Sequence, residues 1–291
     1  MSTRYSIGEW YGYDFARLSP ERWHTFAQTS HKTQRCPFKR GAHNTCSKKG
    51  GVCSLRAFRR DDNGVVVPES ELVTTCPHRF FEANQVFTWV GEHLLGNPDV
   101  KIVSEVPFLM TAEVTENDEK KENPVGKIDH VLVADDGANL EWCALEMQAV
   151  YFSGKSMSND FAVLKTWPGP SLPWPPVQRR PDFRSSGPKR LMPQLQTKVP
   201  TISRWGKKTA VVVDKAFWNS LGEIREGRDL SNAEIVWFIV SYEPDTSNNF
   251  RLRRDTVHYT TLSNAVESLT GGTPMSRERF ESELRARLKA S

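Results

Sequence analysis

The sequence predicts an α/β protein built on a mixed α+β sheet, and three observations carry that prediction. Apolar residues recur at helical spacing over 80–95 and again over 191–202. Five stretches read as strands: 101–109, 127–134, 140–154, 208–214 and 235–242. The run Asp135-Asp-Gly-Ala-Asn139 supplies a tight turn between the second and third of them, which makes that pair an antiparallel hairpin. The central order is therefore helix, three strands, helix, two strands.

Taken in order, Ser19-Pro20 marks a helix start, with serine at the cap and proline at the first helical position, and the helix is expected to run to about Gln28. Residues 31–76 contain Gly41, Gly50, Gly51 and Gly64 but little apolar periodicity, so no conventional hydrophobic core is expected there. Gly96 sits where the helix over 80–95 should be capped. The charged stretch 113–123 reads as an exposed loop. Eight prolines between Pro168 and Pro193, accompanied by Trp167 and Trp174, predict a long ordered loop. Pro200 should kink or divide the helix that follows. Strand 235–242 is apolar throughout, as a fully buried strand would be, and 277–289 reads as a charged amphipathic helix. The expected organisation is a helical segment over 1–30, a cysteine-bearing subdomain over 31–80 and a large domain over 81–291 that carries the proline-rich loop at 168–193.

The chain has 291 residues, 38% hydrophobic and 25% charged, as expected of a soluble globular protein of one large domain or two ordinary ones. No stretch approaches the ~18 uninterrupted apolar residues of a membrane span, and the N-terminus lacks a signal-peptide core. The expected location is the cytoplasm, with no membrane partner. The net charge of +4 is unevenly spread. Residues 31–60 hold nine Lys or Arg and no acid, and 178–210 hold nine against the single Asp182, on either side of an acidic middle. Separated basic surface suits a polyanion.

Four of the five cysteines, Cys36, Cys46, Cys53 and Cys76, fall in the glycine-rich stretch. In a cytosolic chain such a set points to a metal rather than to disulfides. A tetrahedral thiolate site would cross-link a segment without a core, and either zinc or a single iron suits four sulfurs. The spacing matches no standard finger. Cys143 falls on the face of its strand opposite Glu146 and reads as core.

Glu146 and Gln148 occupy the 140–154 strand where apolar residues would be expected, and side-chain alternation places both on one face. A salt bridge or a hydrogen bond to a loop is the ordinary explanation of a buried acid. The hairpin supplies another, because it carries Asp129 to the neighbourhood of Glu146. Two carboxylates can hold the divalent metal that phosphodiester hydrolysis needs, and a nearby polar group can orient the attacking water or the phosphate.

The pattern Asp129…Glu146-x-Gln148 resembles the active-site motif of the PD-(D/E)xK nucleases, with Gln in place of the usual Lys. Further matches are Cys36-Pro-Phe, Gly51-Val-Cys53, Cys76-Pro-x-Arg79, Leu145-Glu-x-Gln-x-x-x-Phe-x-Gly154, Phe217-Trp-x-x-Leu221 and Trp237-Phe-Ile-Val240. Together they resemble the NotI-like type II restriction endonucleases over roughly 30–245. The resemblance implies a PD-(D/E)xK restriction-endonuclease-like core with a small four-cysteine metal-binding subdomain, and a magnesium-dependent homodimer that cuts double-stranded DNA at a GC-rich palindrome. It implies Cys36, Cys46, Cys53 and Cys76 as ligands of a structural iron, zinc being the alternative. Asp129, Glu146 and Gln148 become the catalytic trio, with Asp129 and Glu146 on magnesium, and Glu105 a fourth acidic member. The proline-rich loop and the residues beyond about 245 have no clear counterpart. A metal-stabilised DNA-binding protein without catalysis, and an exonuclease with an iron–sulfur cluster, are the competing readings.

Overall fold

The structure, a computed structural model, describes residues 3–290 apart from 42–43, 115–119, 136, 138, 248 and 271–274. The N-terminal part contains β1 (Arg4–Trp10), β2 (Tyr13–Asp14), α1 (Pro20–Gln28), β3 (Val52–Arg60), β4 (Val66–Pro68) and β5 (Val73–Thr74). A tight 3-10 segment, Pro77–Asn84, leads into α2 (Gln85–Leu95). Then come β6 (Lys101–Val114), β7 (Lys120–Asp135), β8 (Leu140–Met147), β9 (Tyr151–Gly154), α3 (Ser158–Leu164), β10 (Arg179–Asp182) and α4 (Phe183–Ser186). The chain continues with α5 (Met192–Arg204), β11 (Thr209–Asp214), α6 (Lys215–Asn219), β12 (Ile235–Pro244), β13 (Phe250–Thr260), α7 (Leu262–Thr270) and α8 (Arg277–Ala290).

The main sheet runs β13-β12-β11-β8-β7-β6. β8, β11 and β12 are parallel to one another, while β6, β7 and β13 pair antiparallel with their neighbours, so the sheet is mixed as expected. Alternation along the buried strands feeds two cores. Val212, Phe238, Leu145 and Cys143 meet Val86, Phe87 and Val90 of α2 on one face. Val211, Val213, Trp237 and Ile239 meet Leu195 and Val199 of α5, with Ala265 and Leu269 of α7, on the other. Cys143 thus lies in the α2-side core, as its spacing predicted.

The helix start at Ser19-Pro20 and its end at Gln28 fall as expected. Gly96 closes α2 at φ +63, where glycine adopts the left-handed conformation without a Cβ clash. The segment 31–76, however, does not lack a core. β1 pairs with β3 over Arg4↔Phe58 to Trp10↔Val52. Trp10, Phe15, Trp23 and Phe26 from the N-terminal residues pack with Phe38, Val52, Leu55 and Phe58 from the cysteine segment. Residues 1–30 and 31–80, expected to be separate, share one sheet and one aromatic core. Aromatic side chains spaced without period bury area as effectively as periodic ones, which is why the periodicity test missed them.

Four further expectations change. The strand opening at Leu140 ends at Met147, and Gln148 to Val150 form a break before β9. The second half of the proline-rich segment is regular: Pro181 lies in the two-stranded ribbon β9–β10, and Pro188 and Pro193 stand near the starts of successive helical segments. Its first half is the ordered loop predicted: Trp174 lies between Arg4 and Arg60, and Arg4 Nη1 donates to Pro175 O at 2.8 Å. α5 passes through Pro200 undivided. Of the expected loop 113–123, residues 113–114 and 120–123 extend β6 and β7, and 115–119 lie outside the described residues.

Candidate active site

The β7–β8 ladder runs from Asp135↔Leu140 to His130↔Leu145. One step further along the same register, Asp129 faces Glu146, on the side of the sheet covered by α5. Asp129 and Glu146 thus share one face, whereas Gln148 lies past the end of β8, outside the alternation expected of a strand. Glu146 is buried, 2% exposed, and its pKa is raised to about 7 by burial first and by the Asp129 carboxylate second. Lys198 and a backbone N–H of Asp129 pull it down. Two acids competing for one place is the electrostatic condition that a cation relieves.

Lys198 is the partner that sequence reading missed. It reaches from α5, with Nζ 2.7 Å from Glu146 Oε1 and 3.0 Å from Gln194 Oε1, and its side chain is 8% exposed. The ordinary expectation for a buried acid, an ion pair, is thus met as well. A signal was present in the sequence: position 198 falls within the apolar stripe of Leu191, Leu195, Val199 and Ile202, where a lysine is out of place.

Gln148 is buried just past β8, and its N–H donates to Val212 O of β11 at 3.0 Å. Its side-chain Nε2 donates to Ala149 O. Asp129, Gln148, Gln194, Arg190, Lys48 and Thr75 line a cleft of about 350 Å³. Arg190 lies over the Tyr151 ring, 3.8 Å from its centroid. A second cleft of about 290 Å³ shares Lys48, Thr75 and Tyr151 with the first and adds Lys49 and Lys155. Asp129 and Gln148 thus line one cleft, and Glu146, buried and facing Asp129, is not among its lining residues. Glu105 is not gathered with them: it sits on β6 between Ser104↔His130 and Val106↔Ile128, at the level of Asp129, and pairs at 3.3 Å with Lys127 while its side chain is 68% exposed. Its backbone φ of +56 is left-handed, a strained conformation for a residue with a side chain.

The cysteine segment forms one wall of the cleft. Thr74 is clamped at the carboxyl ends of the parallel strands: its N–H donates to Asp214 Oδ2 at 2.6 Å, and its carbonyl accepts from Val150 N at 2.7 Å. Lys48 Nζ donates to Thr75 O at 2.7 Å. All four cysteines are buried and unbridged. Burial pushes the thiols of Cys46, Cys53 and Cys76 up, and charge coupling links Cys76 to Cys36 and Cys46, and Cys53 to Cys76. Cys46 Sγ donates to Lys48 O and Cys53 Sγ to Gly51 O, each at 3.6 Å, and Cys76 Sγ lies 3.8 Å from His78 Nδ1. Four sulfur donors suit a thiophilic metal in kind. As placed, no group of three or more His, Cys, Asp or Glu among the described residues could hold an ion. Two acids with water and phosphate would suffice for magnesium.

The mixed sheet, with helices on both faces and a cleft at the ends of its parallel strands, has the architecture of the restriction-endonuclease-like fold class. The chain belongs to the NotI family of restriction endonucleases: the family described as Restriction endonuclease NotI matches residues 22–252, from α1 to β13. It is accordingly a type II restriction endonuclease that hydrolyses phosphodiester bonds of double-stranded DNA, and the family carries a divalent metal cofactor. Comparison with curated proteins finds no match. Among the described residues no helix is long and apolar enough to cross a membrane.

Proposed function

We propose that this endonuclease cuts DNA at the cleft beside Asp129 and Glu146, with magnesium as its cation and two such sites in a homodimer acting on a GC-rich palindrome in the cytoplasm. The observation that carries the assignment is the pair of acids held face to face across β7 and β8, with Glu146 raised to about 7. Magnesium, when bound, neutralises charge on the scissile phosphate and acidifies the attacking water. Asp129 and Glu146 supply the oxygen ligands. Gln148, which is neutral, offers an amide N–H and a carbonyl to the water or the phosphate, and Glu105 stands as an outer acid on the neighbouring strand. Two copies related by a twofold axis would present equivalent sites to the two strands of a palindrome.

Cys36, Cys46, Cys53 and Cys76 are proposed to hold one structural metal atom, iron on the resemblance and zinc as the alternative. Burial of all four thiols supports this.

Digestion of a plasmid library with sequencing of the fragment ends identifies target and cut position. Asp129→Asn and Glu146→Ala should each abolish magnesium-supported cleavage and leave calcium-supported binding to the target largely intact. Cleavage that survives both changes removes the site assignment. Metal analysis finding iron without inorganic sulfide supports a single metal atom, and sulfide in the preparation supports a cluster instead.

A further inference from the structure

Position 148, where the PD-(D/E)xK pattern places a lysine, holds a neutral glutamine, so the strand brings no cation to the site. A cation arrives from elsewhere. Lys198 stands one helix away and 52 residues along the chain, yet its ammonium is 2.7 Å from Glu146 Oε1. Its other contact, Gln194 Oε1 at 3.0 Å, lies one helical turn earlier on the same helix and belongs to a residue that lines the cleft. Leu195, Val199 and Ile202 flank Lys198 on α5 and are fully buried, so packing fixes the part of the helix that delivers it. Asp129, the facing acid, has no such cation among the salt bridges of the described residues.

We propose that Lys198 is the positioning residue of the cleavage site, holding the Glu146 carboxylate and setting how tightly the site takes up a divalent cation. This rests on the assignment of Asp129 and Glu146 as metal ligands. A positive charge at Glu146 Oε1 opposes an incoming cation twice: it occupies the oxygen, and it repels the ion. The same charge keeps an otherwise uncompensated pair of acids together while no ion is bound. Lys198 therefore has opposite effects on two measurable quantities. It weakens metal uptake and it sustains cleavage, because a Glu146 carboxylate without its anchor is free to rotate out of register with Asp129. A lysine with a merely structural role would move neither quantity selectively.

The test uses the full chain. Calcium binding is measured by calorimetry in the absence of DNA, and single-turnover cleavage is measured at saturating magnesium. Lys198→Met and Lys198→Gln should bind calcium about tenfold more tightly than the wild type and cleave at least about a hundredfold more slowly, whereas Lys198→Arg, which keeps the charge, should bind calcium within about threefold of the wild type and recover part of the rate. Neutral variants that bind calcium no more tightly, or that cleave like the wild type, overturn the proposal. Should they fail to fold, side-chain NMR of the wild type decides: the Lys198 signal shifts as calcium is added, and a signal indifferent to saturating calcium overturns the proposal. Asp129→Asn run alongside separates the two levels. If it also leaves calcium binding by the free chain and cleavage unchanged, the ligand assignment has failed; if it weakens calcium binding by the free chain and abolishes cleavage while the neutral Lys198 variants match the wild type, only the role of Lys198 has failed.

Discussion

Arg79 Nε donates to both carboxylate oxygens of Glu9, at 3.0 and 2.9 Å, and neither side chain is exposed. The guanidinium also bonds Glu82 at 2.6 Å and the carbonyl of Phe250, and lies between the rings of Phe38 and Tyr242. One side chain thus ties β1, the turn that follows the fourth cysteine, and β13. Arg79→Met should destabilise the protein by about 3–5 kcal/mol, because two buried acids lose their cation. Denaturant titration measures it; a loss below about 1 kcal/mol would show that the network is not stabilising.

Metal removal should act on the N-terminal unit and, through it, on the cleft. Thr75 and Lys48 line the cleft and flank the cysteines. Cys53→Ser, or treatment with a chelator, is expected to lower the melting temperature by about 5 °C or more and to release metal into solution. An unchanged melting temperature together with an unchanged metal content in Cys53→Ser would rule out a shared four-cysteine site.

Asp214 links pH to stability. Burial raises it to about 6 from its usual 3.8, against the pull of the N–H donors of Phe217 and Thr74. Between those values the folded chain holds a proton that the unfolded chain has lost, so this carboxyl stabilises most at low pH, and its contribution disappears as pH rises through about 6. Relative to Asp214→Asn, which does not titrate, the wild type should gain about 2 kcal/mol on going from about pH 7 to about pH 4.5. Unfolding free energies of the two proteins at both pH values test it, and a difference independent of pH contradicts the assignment.

Arg190 on one cleft, and Lys49 and Lys155 on the adjoining one, point to a track for the DNA backbone. Reversing one of these charges should weaken calcium-supported binding evenly across sequences and lower the salt slope by about 0.9 per lost phosphate contact. Filter-binding isotherms at several salt concentrations give that slope. A variant with an unaltered slope removes its residue from the track.

Glu105→Gln should reduce cleavage by about tenfold, far less than Asp129→Asn, because its carboxylate is exposed and already paired with Lys127. A loss as large as that of Asp129→Asn would move Glu105 from the outer edge to the centre of the site.

The sequence by itself determined the features that depend on neighbours along the chain. Period-two alternation and the antiparallel pairing of β7 with β8 put Asp129 across from Glu146; period 3.6 and Gly96 bounded α2; Ser19-Pro20 started α1. Each follows from backbone geometry over a few residues. Tertiary structure alone decided the partners. Lys198 meets Glu146 across 52 residues, Arg79 meets Glu9 across 70, and Thr74 meets Asp214 across 140. It also decided that the first thirty residues and the cysteine segment fold around one aromatic core. Periodicity describes which face of an element is apolar and is silent on which distant element covers that face. A lysine in an apolar stripe could announce that it needs an acid, and only the packing of α5 on the sheet decided that the acid is Glu146.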